Sequence, residues 1–139
     1  MAVVVRLKQA HLDAMINHAL EDAPVECCGF LATKDGAVVS ITRAANTEAS
    51  PFRFNIDPRE YLRAERAMDE RGEVFAGLYH SHTGTEPKPS PTDIRAMSAL
   101  FGPPHVHFVI GVADRDHPIA RVFEIEDGVA TELDYEVIG

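Results

Sequence analysis

Hydrophobic positions along the chain follow two periods, and each period predicts one kind of element. Apolar residues three or four apart predict helices, as in residues 8–21, where Leu12, Met15 and Ala19 share one face. Short apolar segments between turn residues predict strands. The predicted order is α-β-β-α-β-α-β-β-β. Helices are expected over residues 8–21, between Asp57 and Gly72 and between Ser90 and Gly102, and strands over residues 28–33, 37–42, 74–79, 105–113, 119–125 and 129–137.

Two connections have their own signals. Asp35-Gly36, between the first two predicted strands, supplies the positive φ angles of a tight hairpin turn. Residues 44–56 have no clean period and include Ser50 and Pro51, so we interpret them as a loop with some extended backbone that can line a site. Helices interleaved with strands favour one mixed sheet with helices packed against it.

Length, charge and cysteine content narrow the class of protein. A chain of 139 residues lies in the range of one domain, which we expect over residues 1–139. Thirteen Lys and Arg against 22 Asp and Glu give a formal net charge of -9, which opposes binding to nucleic acid and to anionic membranes. The only cysteines, Cys27 and Cys28, are neighbours that rarely reach disulfide geometry. A reduced, cytoplasmic protein is expected.

Targeting and membrane signals are weak. The apolar run from Ala2 to Val5 is too short for the core of a signal peptide. The longest apolar stretches elsewhere fall short of the ~20 residues that a membrane-spanning helix needs. The sequence therefore predicts a protein with no membrane partner.

A group of metal-binding residue types surrounds the end of the fourth predicted strand. His80 and His82 are two apart, so the strand period places both imidazoles on one face. Asp93 lies in the first turn of the next predicted helix, which a β–α connection can bring back over the strand end. Two imidazoles and one carboxylate suit catalytic Zn²⁺, where three protein ligands leave the fourth position open for water. The metal can lower the pKa of that water from ~15.7 towards ~7. Such chemistry also requires a proton acceptor, and spacing alone does not select one of the 22 acids.

The spacing His80-x-His82, seven residues, Ser90-x-x-Asp93 resembles the motif of the JAMM, or MPN-plus, zinc metalloproteases. The segment around Glu26 is similar to the family's glutamate segment, just before a strand. The resemblance implies an α/β/α sandwich of the cytidine-deaminase-like kind and an enzyme that hydrolyses amide bonds. It also implies Glu26 as the general base and Ser90 as a hydrogen-bond donor to the oxyanion.

Structural interpretations of the same residues stay open. Ser90 and Asp93 alone form an ordinary capping box, and we expect that Asp93 cannot reach back to the cap and also point fully at a metal. His105 and His107 form a second H-x-H without an acid at a useful spacing, and we expect structural roles for both. Cys27 and Cys28 follow Glu26, but buried free thiols are the commoner case. The sequence leaves the roles of these cysteines and of this second histidine pair undetermined.

The substrate follows only from the resemblance. Thr83 after the second histidine is similar to the bacterial Mec-like branch, which implies a ubiquitin-fold sulfur-carrier protein as substrate, cut after its C-terminal diglycine to release cysteine. Residues 83–93 contain no insertion of the kind that eukaryotic deubiquitinating relatives use. The alternatives are a general deconjugating isopeptidase for ubiquitin-like modifiers and a non-catalytic MPN scaffold. The sequence leaves the oligomeric state open, and a homodimer is one of the alternatives.

Overall fold

A computed structural model describes residues 4–139 of the protein. Over these residues the chain forms three helices and seven strands. The helices are α1 (Gln9–Asp22), α2 (Pro58–Glu70) and α3 (Pro91–Ser98). The strands are β1 (Val4–Lys8), β2 (Cys28–Lys34), β3 (Ala37–Ala44), β4 (Val74–His82), β5 (Val106–Gly111), β6 (Ile119–Glu126) and β7 (Val129–Ile138).

The strands form one mixed sheet in the order β1-β7-β6-β5-β4-β2-β3. The pairs β1/β7 and β4/β5 are parallel, and the other neighbours are antiparallel. The hairpin between β2 and β3 turns at Asp35 and Gly36 with φ of 53° and 81°, which confirms the predicted tight turn. The sheet curls strongly enough that its two edge strands, β1 and β3, also contact each other.

Both faces of the sheet are covered by helices. On one face, Leu12 and Met15 of α1 pack in a core cluster with Tyr79 of β4. On the other face, Met68 of α2 packs with Leu78 of β4, and Met97 of α3 lies against the same cluster. Neighbouring β4 residues thus point into different layers, as the strand period requires. The α/β/α sandwich is confirmed.

The first strand was not predicted from the sequence. β1 has only five residues, and its burial alternates strictly, with Val5 and Leu7 inside. Its partner is β7, where Val4 pairs with Asp134, so the pairing that fixes β1 lies far away in sequence. The observed order is therefore β-α-β-β-α-β-α-β-β-β. Ala2 and Val3, part of the short apolar run at the N-terminus, lie outside the described residues.

The third helix is shorter than predicted. α3 ends at Ser98, and the expected end near Gly102 is wrong. The Leu100 N–H bonds the Met97 carbonyl, three residues back, so the chain tightens into a turn. This turn directs Phe101 inward, where its ring meets Tyr61 of α2 edge-on at 5.5 Å.

The second helix has the expected boundaries, and the loop before it has the expected irregular backbone. The Asp57 side chain accepts a hydrogen bond from the Arg59 N–H at 2.9 Å, and Pro58 occupies the first turn. In the loop, the Thr47 N–H donates to the Asn55 carbonyl at 2.9 Å. No helix between residues 4 and 139 has both the length and the apolar character to cross a membrane.

Candidate metal centre

Three side chains from two elements converge at the end of β4. His80 and His82 point to the same side of β4, as their spacing predicts, and Asp93 lies in the first turn of α3. The two Nε2 atoms are 3.1 Å apart, and Asp93 Oδ2 lies 3.0 Å from that of His80 and 3.2 Å from that of His82. All three residues are buried, with exposures of 3%, 4% and 4%. Three donor atoms thus share one enclosed point.

The tautomer of His82 leaves a lone pair at that point. The Nδ1 of His82 lies 2.9 Å from the Glu86 carbonyl oxygen, which only accepts, so Nδ1 carries the proton in the neutral ring. Nε2 of the same ring then has a lone pair directed at a carboxylate oxygen of Asp93. Two lone pairs at 3.2 Å repel each other unless a cation lies between them. The cluster therefore requires a proton or a metal ion.

The pKa values of the three residues agree with a site built for a cation. Burial lowers the pKa of His80, which favours the neutral imidazole that binds metals. Burial also acts to lower the pKa of His82, but the Asp93 carboxylate and the Glu86 carbonyl together raise it. Burial opposes ionisation of Asp93, yet the two imidazoles and the Ser90 N–H hold the pKa of this carboxyl well below its usual range. A carboxylate is therefore retained inside the protein.

The donor set fits zinc. Ligands bound tetrahedrally to Zn²⁺ at ~2.0 to 2.2 Å lie roughly 3.3 to 3.5 Å from one another. The separations of 3.0 to 3.2 Å among the three donors are close to this range. Two imidazole nitrogens and a carboxylate oxygen are also the ligand types of catalytic zinc sites. His80, His82 and Asp93 can therefore hold a zinc ion together.

Asp93 combines two roles that the sequence analysis treated as exclusive. Its Oδ2 accepts a hydrogen bond from the Ser90 N–H at 2.9 Å, closing the capping box, and the same oxygen faces both imidazoles. The expectation that capping and pointing at the metal conflict is wrong, because a carboxylate oxygen has two lone pairs and can serve both. The helix cap thus orients the candidate ligand.

Glu26 lies beside the cluster, in the segment between α1 and β2. Its carboxylate contributes an atom to a group, with one nitrogen each of His80 and His82, whose members lie within 4.8 Å of one another. The side chain is buried, and among the described residues its Oε1 has no hydrogen-bond partner. Burial raises the pKa of Glu26 to about 7. A carboxyl of this kind can take up and release protons near neutral pH.

The backbone fixes the position of Glu26. Its N–H donates to the Ser50 carbonyl at 2.9 Å, and its carbonyl accepts from the Asn46 side chain at 3.0 Å. The next residue, Cys27, donates its N–H to Ser81 Oγ at 2.8 Å, and the Ser81 N–H returns a bond to the Cys27 carbonyl. The residue between the two histidines therefore ties the glutamate segment to β4.

Two contributors to the site were missed in the sequence analysis. Ser81 points away from the imidazoles, as the strand period could have shown, but its bond to Cys27 spans 54 residues. Phe54, in the loop before α2, stacks on the His80 ring with a centroid distance of 4.5 Å and an interplanar angle of 24°. No local pattern carries such a contact, because it depends on how the loop folds back over the sheet.

The other reactive residue types lie elsewhere. His107 Nε2 donates a hydrogen bond to the Phe101 carbonyl oxygen at 2.9 Å, its one partner among the described residues. His105 contacts the Gly102 carbonyl at 3.0 Å. Both bonds secure the connection between α3 and β5, which agrees with the structural roles expected for this pair. Cys27 and Cys28 are buried free thiols, and burial raises the pKa of Cys27 to about 12.

Comparison with known proteins identifies the family. The profile described as "Prokaryotic homologs of the JAB domain" matches residues 8–125, which include every member of the cluster. The chain belongs to this family. The resemblance of this JAB-domain chain to the JAMM metalloproteases is thereby confirmed.

Relatives of this JAB-domain chain carry peptidase names. A Mycobacterium tuberculosis protein named CysO-cysteine peptidase is 38% identical over 135 residues, which cover 91% of this chain and 86% of that protein. A Thermus thermophilus protein named probable TtuB-protein conjugate cleaving protease is 33% identical over 92 residues, covering 66% of this chain and 60% of the relative. The solution structure of a Desulfitobacterium hafniense protein superposes with a TM-score of 0.85 at 30% identity, covering 97% of this chain and 93% of that one.

Proposed function

We propose that the chain is a zinc-dependent peptidase that hydrolyses the amide bond after the C-terminal diglycine of a ubiquitin-fold sulfur-carrier protein and releases cysteine. The observation that carries the proposal is the convergence of three metal-donor atoms beside a buried carboxylate without a partner. His80, His82 and Asp93 would hold the zinc. Bound zinc would polarise a carbonyl group and lower the pKa of water.

Glu26 supplies the proton transfer in this proposal. With a pKa of about 7, raised by burial, it accepts a proton from the attacking water and passes it to the leaving amine as the amide C–N bond breaks. Because Glu26 Oε1 has no other hydrogen bond, it is available first to the attacking water and then to the leaving amine. Water thus adds to the carbonyl carbon, and the amine leaves with the proton that Glu26 carried.

Ser90 stabilises the carbonyl oxygen in this proposal. Its Oγ already accepts a hydrogen bond from the Asp93 N–H at 3.1 Å, so the hydroxyl hydrogen remains available for donation. A hydrogen-bond donor directed at the carbonyl oxygen stabilises the transition state most, because negative charge develops on this oxygen there. Ser90 therefore acts as a donor and not as a nucleophile.

An extended tail can bind by its main chain beside the centre. In the segment from Phe54 to Ile56, Asn55 uses its N–H and carbonyl for bonds to Asn46 and Thr47. Within residues 4–139, the backbone groups of Phe54 and Ile56 make no hydrogen bonds. We call these unbonded backbone groups of Phe54 and Ile56 the free edge. The free edge lies next to His80, because the Phe54 ring stacks on the His80 ring. A strand-like diglycine tail has no side chains to bind and suits such an edge.

The releasing reaction is favoured by the relative named CysO-cysteine peptidase, which aligns with most of the chain. The second candidate is a general isopeptidase that removes ubiquitin-like modifiers from proteins, and the relative named a protein-conjugate cleaving protease favours it. A non-catalytic scaffold is the third, and the intact donor set with its free carboxylate argues against it. We propose that the protein works in the cytoplasm as a single domain.

The test compares two substrates that share a ubiquitin-fold carrier ending in Gly-Gly. One bears a C-terminal cysteine, and the other is joined through its last glycine to a lysine of a folded protein. Mass spectrometry with zinc-loaded enzyme should show loss of one cysteine residue from the first, much faster than release from the second. A chelator should stop both reactions. Equal rates, or faster cleavage at lysine, would favour the isopeptidase, and no cleavage of either would favour the scaffold.

A further inference from the structure

An apolar cavity lies next to the candidate metal centre, between α2 and α3. Its volume is about 320 Å³, at the lower end of the ~300 to 1,000 Å³ typical of small-ligand pockets. Such a volume suits one or two side chains better than a cofactor. The lining is mainly apolar and includes Phe54, Leu78 and Met97, with Leu100 at 74% exposure. The cavity is therefore open to a ligand.

Two residues of the cavity wall adjoin the candidate metal centre. Phe54 contributes one wall and stacks on His80, so one ring borders both spaces. Leu78 contributes another wall and precedes His80 by two residues on the same face of β4. In a strand, two residues span roughly 6.8 Å. The cavity thus begins about one strand repeat from the metal ligands.

We propose that this cavity binds an apolar side chain from one of the two residues that precede the diglycine of the substrate. This inference rests on the proposed function, because it assumes that the last glycine carbonyl lies at the metal centre. An extended tail places the preceding two residues roughly 7 and 10 Å upstream of that glycine, and the shorter distance matches the roughly 6.8 Å between Leu78 of the cavity and His80. The free edge of Phe54 and Ile56 holds the tail in this extended form, and both residues also line the cavity.

The cavity supplies selectivity that the diglycine cannot. Glycines offer no side chain, and main-chain hydrogen bonds are the same for every sequence. An apolar pocket distinguishes a methyl group from a hydroxyl, because a buried hydroxyl without a partner costs free energy. The occupant is therefore aliphatic or aromatic, and a polar residue at this position weakens binding.

The test measures binding, so that it does not depend on turnover. Two fluorescein-labelled peptides end in Val-Val-Gly-Gly and Thr-Thr-Gly-Gly, which differ in methyl against hydroxyl at nearly constant shape. Fluorescence anisotropy with the zinc-loaded chain should give a Kd about tenfold or more lower for the valine peptide. Equal Kd values, or no measurable binding of either peptide at millimolar concentration, would overturn the inference.

Two matched variants test whether the preference for the valine peptide arises in the cavity. Ala96 is exposed and lines the cavity, whereas Ala99 is exposed three residues later and lies outside the lining. Ala96→Phe should fill the cavity and bring the ratio of the two Kd values close to one, and Ala99→Phe should keep the wild-type ratio. If both variants keep the ratio, the cavity is not the binding site. Failure of the proposed function would instead appear as absence of cleavage with the peptide preference intact.

Discussion

The Ser90 N–H donates to Asp93 Oδ2 at 2.9 Å, and the Asp93 N–H donates back to Ser90 Oγ at 3.1 Å. This reciprocal cap starts α3 and at the same time holds the carboxylate oxygen that faces His80 and His82. Folding of the helix and formation of the candidate metal site therefore depend on the same two bonds. A substitution at Asp93 that keeps the cap but removes the negative charge can separate its capping role from its metal-binding role.

Asp93→Asn should remove zinc but keep the fold. The amide oxygen of asparagine can still accept from the Ser90 N–H, whereas the negative charge that favours a cation is lost. We expect zinc affinity to fall by more than about 100-fold, because loss of a residue that only hydrogen-bonds a metal ligand already costs about 10- to 100-fold. Elemental analysis after dialysis measures the zinc content, and circular dichroism checks the helix content.

The control for this variant is Asp69→Asn, which removes one negative charge from the exposed face of α2. It should keep about one zinc per chain. Asp93→Asn protein that retains a full zinc content would exclude Asp93 from the ligand set and leave Glu26, His80 and His82 as the group to consider.

Ser90→Ala should affect stability and turnover by separate routes. Loss of the cap should lower the free energy of unfolding by about 1 kcal/mol. Loss of the hydroxyl donor should slow hydrolysis by about 100-fold or more with zinc retained. Urea unfolding and turnover rates measure the two effects. Ser90→Thr keeps the hydroxyl and should recover most of both, and a Ser90→Ala enzyme with the wild-type rate would remove Ser90 from the mechanism.

The placement of the two histidines and of Asp93 could be predicted because it depends on local geometry. A strand period of two puts His80 and His82 on one side, and a capping box puts Asp93 in the first turn of a helix. Glu26 was selected only through the family motif. Its position depends on bonds to Ser50 and Asn46, distant in sequence, and no local pattern reports these.

Long-range contacts account for what the sequence analysis missed. The stacking of Phe54 on His80 requires a loop to cross the sheet, and the first strand exists because β7 pairs with it. α3 ends at Ser98, before the predicted end near Gly102, because the ring of Phe101 packs against Tyr61. In each case tertiary packing decides between local alternatives that the pattern of residues leaves close in energy.

His107 should make the metal-free protein sensitive to acid. Burial lowers the pKa of His107 from 6.5 to about 4, so the unfolded chain binds this proton at higher pH than the folded one. The stability that the neutral ring contributes is complete above pH ~6.5 and is lost as the pH falls towards ~4. We expect a loss of about 2 kcal/mol between pH 7 and pH 5 from this residue, measured by urea unfolding in the presence of a chelator.

His107→Gln tests this assignment, since the glutamine amide can still donate to the Phe101 carbonyl but does not titrate. The variant should lose less stability than the wild type over the same pH interval. His117→Gln, at a histidine whose side chain is 82% exposed, is the control and should keep the wild-type slope. An unchanged slope in His107→Gln would show that another group causes the acid sensitivity.

Glu26→Gln should separate metal binding from catalysis. The carboxylate lies beside the cluster with Oε1 unpaired, and the three donors of His80, His82 and Asp93 remain in the variant. We therefore expect about one zinc per chain and a loss of turnover of roughly 10² to 10⁴-fold, the usual contribution of a general base. Glu70→Gln, at an exposed position of α2, should match the wild type in both measurements. Turnover by Glu26→Gln at the wild-type rate would exclude Glu26 as the base, and loss of zinc in this variant would make Glu26 a ligand.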